Sequence, residues 1–384
     1  MLMVFASAKI LAELFERLGQ PGIVGEILAG VIIGPSVLAW IAPDDLLRAL
    51  ADLGVMFLLF KVGLEVKPEE LMKLGGTALL VATCGVIVPL IMGWGIVWAF
   101  GYPHIEAAFA GAAMVATSVG ITAQVLSSKG LLQERASQII LAAAVIDDVL
   151  GLLVLACVSS VARGSVNYWE IGLTILFAVG FVLIIAFWGN KAMGHLVPHA
   201  QQNLRLSEAE YSVAMILLFA LSVLAVYVGV AAIVGAFFAG MALSGKVATR
   251  VNDLAQGASE LLVPFFLAGI GMRVELSVFE SGTTILLAAL ILFAAVISKC
   301  IGCGFSALSL GRRDAIRIGV GMIPRGEVGM VVAQLGLTMG VISHTIYGVV
   351  VFMAVATTIV APPLLKLAFA DAVPTKPVEQ FHLG

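Results

Sequence analysis

Apolar residues neither alternate with polar ones along this chain nor recur as a single helical stripe. They fill continuous runs, such as 71–100, 141–161 and 283–303, on every side of any helix drawn through them. Each run reaches or exceeds the ~20 residues that cross a bilayer's hydrocarbon. Helices apolar all round are what lipid selects, because the backbone is satisfied internally and no face needs water. A transmembrane barrel would instead show shorter segments of alternating polarity. Cutting at polar breaks that carry Gly or Pro predicts thirteen helical spans. They run near 2–17, 21–40, 46–65, 70–100, 105–128, 135–162, 168–194, 209–228, 230–246, 253–273, 281–309, 313–340 and 342–367. The fold class is therefore an all-α polytopic membrane protein.

Composition agrees: 61% of the 384 residues are hydrophobic and 12% charged, against about 25% charged in soluble domains. A net charge of −3 without a basic run excludes a nucleic-acid partner. The first span lacks the basic start and small-residue cleavage site of a signal peptide and reads as a helix. Charge also orients the spans, since cytoplasmic loops collect Lys and Arg. With the N-terminus outside and the C-terminus in the cytoplasm, fifteen of the 21 Lys and Arg fall on the inner side. Only Arg48, Arg163 and Arg273 fall outside, and Lys9, Lys299 and Arg325 fall within spans. An even number of spans would lose this asymmetry. A multi-pass protein of the inner (cytoplasmic) cell membrane is the expected location.

The chain also repeats itself. Ile23-Val24-Gly25-x-x-x-Ala29-Gly30 recurs as Ile233-Val234-Gly235-x-x-x-Ala239-Gly240. Asp52-Leu53-x-Val55-x-Phe57 matches Glu260-Leu261-x-Val263-x-Phe265, and Gly63-Leu64-x-Val66 matches Gly271-Met272-x-Val274. The offsets, 210 and 208, keep the order over a long stretch. Span two runs outward and span nine inward, so 1–165 and 209–384 read as inverted halves joined by a linker helix in 166–208. Many transporters are built this way.

Against this apolar background a few charged residues stand out. Asp147 and Asp148 lie near the middle of span six. Each costs roughly 2.5–3.5 kcal/mol at the bilayer centre, whereas an interhelical polar contact returns only about 0.6 kcal/mol on average. Structural tethering alone does not offset that cost, so the pair points to ion or proton binding. Two neighbouring carboxylates also couple each other's protonation. Lys299 in span eleven and Arg325 in span twelve are the available counter-charges, and Glu327 lies close enough along the chain to hold Arg325 locally. Two spans are ill-suited to continuous helix: Ala116-Thr117-Ser118-Val119-Gly120-Ile121-Thr122 in span five, and Met322-Ile323-Pro324-Arg325-Gly326-Glu327-Val328-Gly329 in span twelve. Gly111, Met114 and Val119-Gly120 correspond to Gly319, Met322 and Val328-Gly329 in the other half. Paired interrupted helices mark a transporter's midplane site. Freed carbonyls and the hydroxyls of Thr117 and Ser118 are hard oxygen ligands suited to an alkali cation.

Weaker signals add little. Cys84, Cys157, Cys300 and Cys303 lie in apolar segments; Cys300 and Cys303 have redox-motif spacing but no further ligands, and packing explains them. His195 and His199 stand one helical turn apart without a third ligand, as an ordinary interfacial pair does. No catalytic residue, resident metal or cofactor is expected.

Through essentially its whole length the chain resembles the bacterial monovalent cation:proton antiporter-2 family, particularly its sodium/proton antiporters. The resemblance is carried by Gln20-Pro21-x-x-Val24-Gly25-Glu26-Ile27-Leu28-Ala29-Gly30, the Thr117–Thr122 segment, Asp147-Asp148, Lys299 and Pro324-Arg325-Gly326-Glu327-Val328-Gly329. It implies thirteen helices, with spans five and twelve broken and crossed in an ion-carrying core that moves like an elevator beside a dimerisation domain. It implies that Asp148 carries the cation or the proton, and that an Asp147–Lys299 salt bridge breaks as the ion binds. The implied partners are Na+ (with Li+ or K+ as alternatives), H+, lipid and a second copy of the chain. Potassium-moving relatives with Gln-Asp at the acidic position append a cytoplasmic nucleotide-binding domain; this chain has Asp-Asp, and its short polar tail leads us to expect no regulatory domain. The alternatives are a K+/H+ antiporter and, from a different class, a non-transporting membrane cation sensor. An aspartyl hydrolase is excluded because adjacent aspartates on one helix point ~100° apart.

Overall fold

The computed structural model describes residues 1–66, 74–162, 168–189, 191–194 and 208–372, and among these the regular elements are all helical. In chain order they are α1 (Leu2–Arg17), α2 (Gly22–Ile33), α3 (Asp45–Glu65), α4 (Gly75–Ala99) and α5 (His104–Ala113). They continue with α6 (Val119–Ser128), α7 (Arg135–Ala162), α8 (Tyr168–Ile184), α9 (Ala209–Tyr227) and α10 (Ala232–Leu243). The last five are α11 (Thr249–Gly271), α12 (Gly282–Ser306), α13 (Arg312–Gly321), α14 (Gly326–Thr338) and α15 (His344–Ala368). By length and composition α4, α7, α9, α11, α12 and α15 qualify as membrane-crossing helices. On α4 and α12 the outward side chains are mainly apolar, for example Ile87 and Ile91 on α4 and Phe293 and Phe305 on α12, as a lipid solvent requires. Trp94, Trp98 and His104 stack at the end of α4, the amphipathic belt expected where hydrocarbon meets headgroups.

Each predicted span coincides with a helix or, for spans five and twelve, with two short helices. The ends differ where local chemistry intervenes. Span two stops at Ile33 rather than residue 40, because Gly34 leaves the helical conformation and Pro35 cannot follow a helical residue comfortably. The first turns of α3, α12 and α15 are capped by Asp44, Ser281 and Ser343, whose side chains accept from Leu47, Thr284 and Ile346. Span seven passes into a π turn, Ile185–Gly189, and residues 191–194 are again helical. His195 and His199 lie outside the described residues, as does Lys376.

The helices pack in two sets. In one, α3 lies against α10 and α11, α2 against α1 and α11, and α9 against α10. In the other, α4 packs on α5, α7 and α12, α13 on α7, α12 and α15, and α14 on α5 and α15. α6 touches α3, α7 and α15, and α15 touches α2, so contacts also run between the sets. Glycine makes the first set close. A Cβ on Gly30 would overlap the Ala268 carbonyl, and one on Gly240 the Phe60 carbonyl. Likewise Gly271 abuts the Ile27 carbonyl and Gly63 the Phe237 carbonyl. These contacts map onto each other under the same 208–210 offsets that relate the two sequence halves. Helix α2 meets α11 as α10 meets α3. Side-chain-free approach of two backbones is what small residues provide in a membrane, where burial of apolar surface drives nothing.

Candidate ion site at two helix breaks

Five residues interrupt the fifth span between α5 and α6, and four interrupt the twelfth between α13 and α14. Residues 116–118 and 323–325 are not helical. Pro324 has no amide to donate, and it disfavours helical geometry at Ile323. The two links run against each other: the Ser118 amide donates to the Pro324 carbonyl at 2.8 Å, and the Thr122 hydroxyl donates to the Gly321 carbonyl at 2.7 Å. Gly326 sits at φ +42°, where a side chain is strained, and its absent Cβ would collide with Ser118. Four helix termini therefore converge on one buried point, the C-terminal ends of α5 and α13 and the N-terminal ends of α6 and α14. Their unpaired carbonyls and amides present partial charges of both signs.

Charged side chains reach this point from other helices. Asp147, on α7, receives Lys299 Nζ of α12 at 3.0 Å to Oδ2 and 3.2 Å to Oδ1. Both side chains are 0% exposed. Asp148 is buried beside Asp147 at 7% exposure. Arg325 is 0% exposed, and its guanidinium donates to two backbone carbonyls, Val115 at 3.2 Å and Ala295 at 3.0 Å. Its own amide donates to the Thr357 hydroxyl at 3.3 Å. The sequence suggested Glu327 as a local partner for Arg325. The Glu327 side chain lies outside the described residues, and the guanidinium is held by carbonyls, one of them in the turn that ends α5. Thr117 Oγ1 is buried with no hydrogen-bond partner among the described residues, so a hard oxygen is available next to the break. Ser118 is fully buried at the crossing itself.

Several contributors carry no obvious mark in the sequence. Gly85 of α4 leaves room for Lys299: a Cβ there would lie 3.3 Å from Nζ and 2.7 Å from Cys303 Sγ. The Val115 and Ala295 carbonyls belong to unremarkable residues. Thr357-Thr358, a polar pair inside apolar α15, was the one available signal. Both hydroxyls donate to the Ala354 carbonyl.

Chemically, the arrangement is a dry cluster of two carboxylates, one ammonium and one guanidinium, set among hydroxyls and helix-end carbonyls. It can exchange a proton for a cation at an oxygen without a covalent step. Residues 2–370 match the transmembrane sodium/hydrogen exchanger family. The chain is 34% identical over 376 residues to the Na+/H+–K+ antiporter GerN of Bacillus cereus, covering 96% of this chain and 95% of that protein. It is 32% identical over 430 residues to the high-affinity Na+/H+ antiporter NhaS3 of Synechocystis, covering 98% and 92%. The fold resembles the sodium proton antiporter MjNhaP1 of Methanocaldococcus jannaschii, with a TM-score of 0.68 at 17% identity over 98% of this chain and 97% of that one. The chain thus belongs to the sodium/hydrogen exchanger family, the membrane-embedded cation/proton antiporters.

Proposed function

We propose that this protein exchanges Na+ for protons, with Li+ as an alternative substrate, and that Asp148 is the group that carries one or the other. The observation that carries the reading is the buried carboxylate pair beside two helix breaks, in which Lys299 is committed to Asp147. With Asp147 neutralised by Lys299, Asp148 provides the negative charge that attracts a cation, and Thr117, Ser118 and nearby carbonyls can complete its shell. Arriving cation weakens the Lys299–Asp147 attraction, and protons that return displace the cation. Two acids and one lysine offer two proton-releasing groups per cation, so the exchange is electrogenic.

The same reading takes the α4–α7 and α12–α15 set as an ion-carrying core that moves as an elevator beside the α1–α3 and α9–α11 set, which dimerises. The offset-related glycine contacts support two inverted repeats, 1–165 and 209–384, within thirteen crossings from an outside N-terminus to a cytoplasmic C-terminus. Potassium remains the second candidate cation, favoured by the name of the Bacillus cereus relative. The test is proton movement in proteoliposomes driven in turn by sodium, lithium and potassium gradients, with and without an imposed membrane potential. Asp148→Asn keeps the size and removes the titratable charge, so it abolishes the sodium-driven signal. Wild-type flux in that variant would remove Asp148 from its role, and rates blind to the potential would leave one-for-one exchange.

A further inference from the structure

A second group of oxygen atoms lies away from the crossing. A cavity of about 640 Å³ opens between α1, α2, α6, α11 and α15. Its walls include four carboxylates, Glu13, Glu16, Glu26 and Glu260, and three ammonium groups, Lys9, Lys129 and Lys366. Glu26 is the buried member, at 5% exposure. Lys9 donates to its Oε1 at 3.0 Å, but Oε2, which is sealed from water, meets no donor among the described residues. Gln124 of α6 lines the same cavity, and its Oε1 is likewise buried and without a donor. The Glu16 carboxylate lies against Gly22, at the start of α2. Lys366 is engaged elsewhere, donating to the Gly19 carbonyl.

Buried oxygens without donors are unfavourable unless something positive meets them. Two of them line one chamber, on different helices, and neither belongs to the Asp147–Asp148 cluster. We infer that Glu26 and Gln124 form a second cation site, for a monovalent alkali ion coordinated by Glu26 Oε2 and Gln124 Oε1. The donor set decides the class. A divalent ion such as Ca2+ takes six to eight oxygens, usually with several carboxylates, and among the described residues no three acidic, histidine or thiol groups cluster as a metal needs. Lys9 already balances the charge of Glu26, and across the whole cavity the four carboxylates exceed the three ammonium groups by a single charge, which one monovalent ion balances and a divalent ion would exceed. Soft metals are disfavoured by the all-oxygen donors. Such an ion joins α2 to α6, the second half of the broken span. Occupancy therefore favours the arrangement in which these helices line one chamber.

The test is equilibrium binding of radiolabelled sodium to the purified full-length protein carrying Asp148→Asn, so that the central carboxylate contributes nothing. Saturable binding near one ion per chain is expected to remain, with lithium and potassium competing. Adding Glu26→Gln or Gln124→Leu weakens it about tenfold or more, which is about 1.4 kcal/mol or more in binding free energy. Absence of saturable binding in the Asp148→Asn protein overturns the inference. So does binding that ignores both further substitutions, because the residual ion is then elsewhere. Displacement by micromolar calcium overturns the monovalent assignment. Should Glu26→Gln fail to give a monodisperse protein on gel filtration, Gln124→Leu, which removes no charge, decides alone. Because the readout is binding in a protein disabled at Asp148, its outcome is independent of whether that residue carries the transported ion.

Discussion

Arg325 is the last residue of the break between α13 and α14, and Arg317 lies within α13 before it, yet the partners of the two arginines differ sharply in their access to water. Arg317, itself only 8% exposed, is the centre of a cluster whose acids are open to water: it donates to Asp371 at 2.7 Å, lies 3.5 Å from Asp314 and 3.9 Å from Glu134, and sits over the Phe369 ring. Arg313 joins the same Asp371 carboxylate at 3.1 Å from a largely exposed position. Around Arg325, by contrast, Asp147 and Lys299 are shut off from water, and among the described residues the guanidinium donates to two carbonyls. In the wet cluster, water and neighbouring acids can replace any lost partner. In the dry one, Asp147 and Lys299 depend on each other, so a change in the ionisation of one alters the other. Sensitivity of that kind is what a coupled exchange of cation and proton needs.

The largest effect is expected from removing one member of the dry pair. Lys299→Gln leaves Asp147 buried without its counter-charge, a change that typically costs about 3–5 kcal/mol. Lys299→Gln with Asp147→Asn removes both charges and should recover part of that loss. Thermal unfolding in detergent of the two single variants and the double variant forms the cycle. Additive losses would mean the residues do not interact in the resting protein. Glu327 or Asp148 would then be the partner to consider for Lys299.

A smaller effect sharpens the comparison on the backbone side. Gly326→Ala puts a methyl group against Ser118 at a positive φ, an overpacking expected to cost about 1–3 kcal/mol. Because it forces the two links apart, sodium-driven proton flux should fall even where the folded protein is recovered. An unchanged rate and unfolding temperature would show that the crossing tolerates expansion.

Much of this arrangement was legible because bilayers punish charge and reward regularity. Asp147-Asp148, Lys299 and Arg325 were conspicuous in apolar runs, and Pro324 among glycines marked a helix that could not continue. The repeated glycines were legible for a similar reason, since small residues at a fixed offset leave a pattern in the letters. What was not legible depends on atoms that every residue possesses. The carbonyls of Val115 and Ala295 accept from Arg325, and nothing in the identity of valine or alanine announces an acceptor. Glu327 is the acid that the sequence offers beside Arg325, and its side chain lies outside the described residues. Gly85 was hidden likewise, because its contribution is the space it leaves beside Lys299. The pairing of Lys9 with Glu26 joins two helices through one contact, which periodicity does not encode.

The smallest effect belongs to the wet cluster. The Asp371 carboxylate is held below the usual carboxylate range, first by its hydrogen bond from Arg317 and further by the charges of Arg317 and Arg313. A depressed folded-state pKa stabilises the protein at pH above the unfolded value of about 3.9, and this contribution disappears as pH falls through the folded value. Asp371→Asn should therefore lower the unfolding temperature slightly at neutral pH and not at all in strong acid. Exposed pairs are also screened by salt, whereas buried ones are screened much less. Thermal scans in rising choline chloride, which supplies ionic strength without an alkali cation, separate the two regions. The Asp371→Asn difference should shrink towards zero as salt rises, while the Lys299→Gln difference persists. A salt-resistant Asp371→Asn loss would mean that the Arg317 cluster is as dry in the membrane as the Arg325 one, and the contrast between the two arginines would fail.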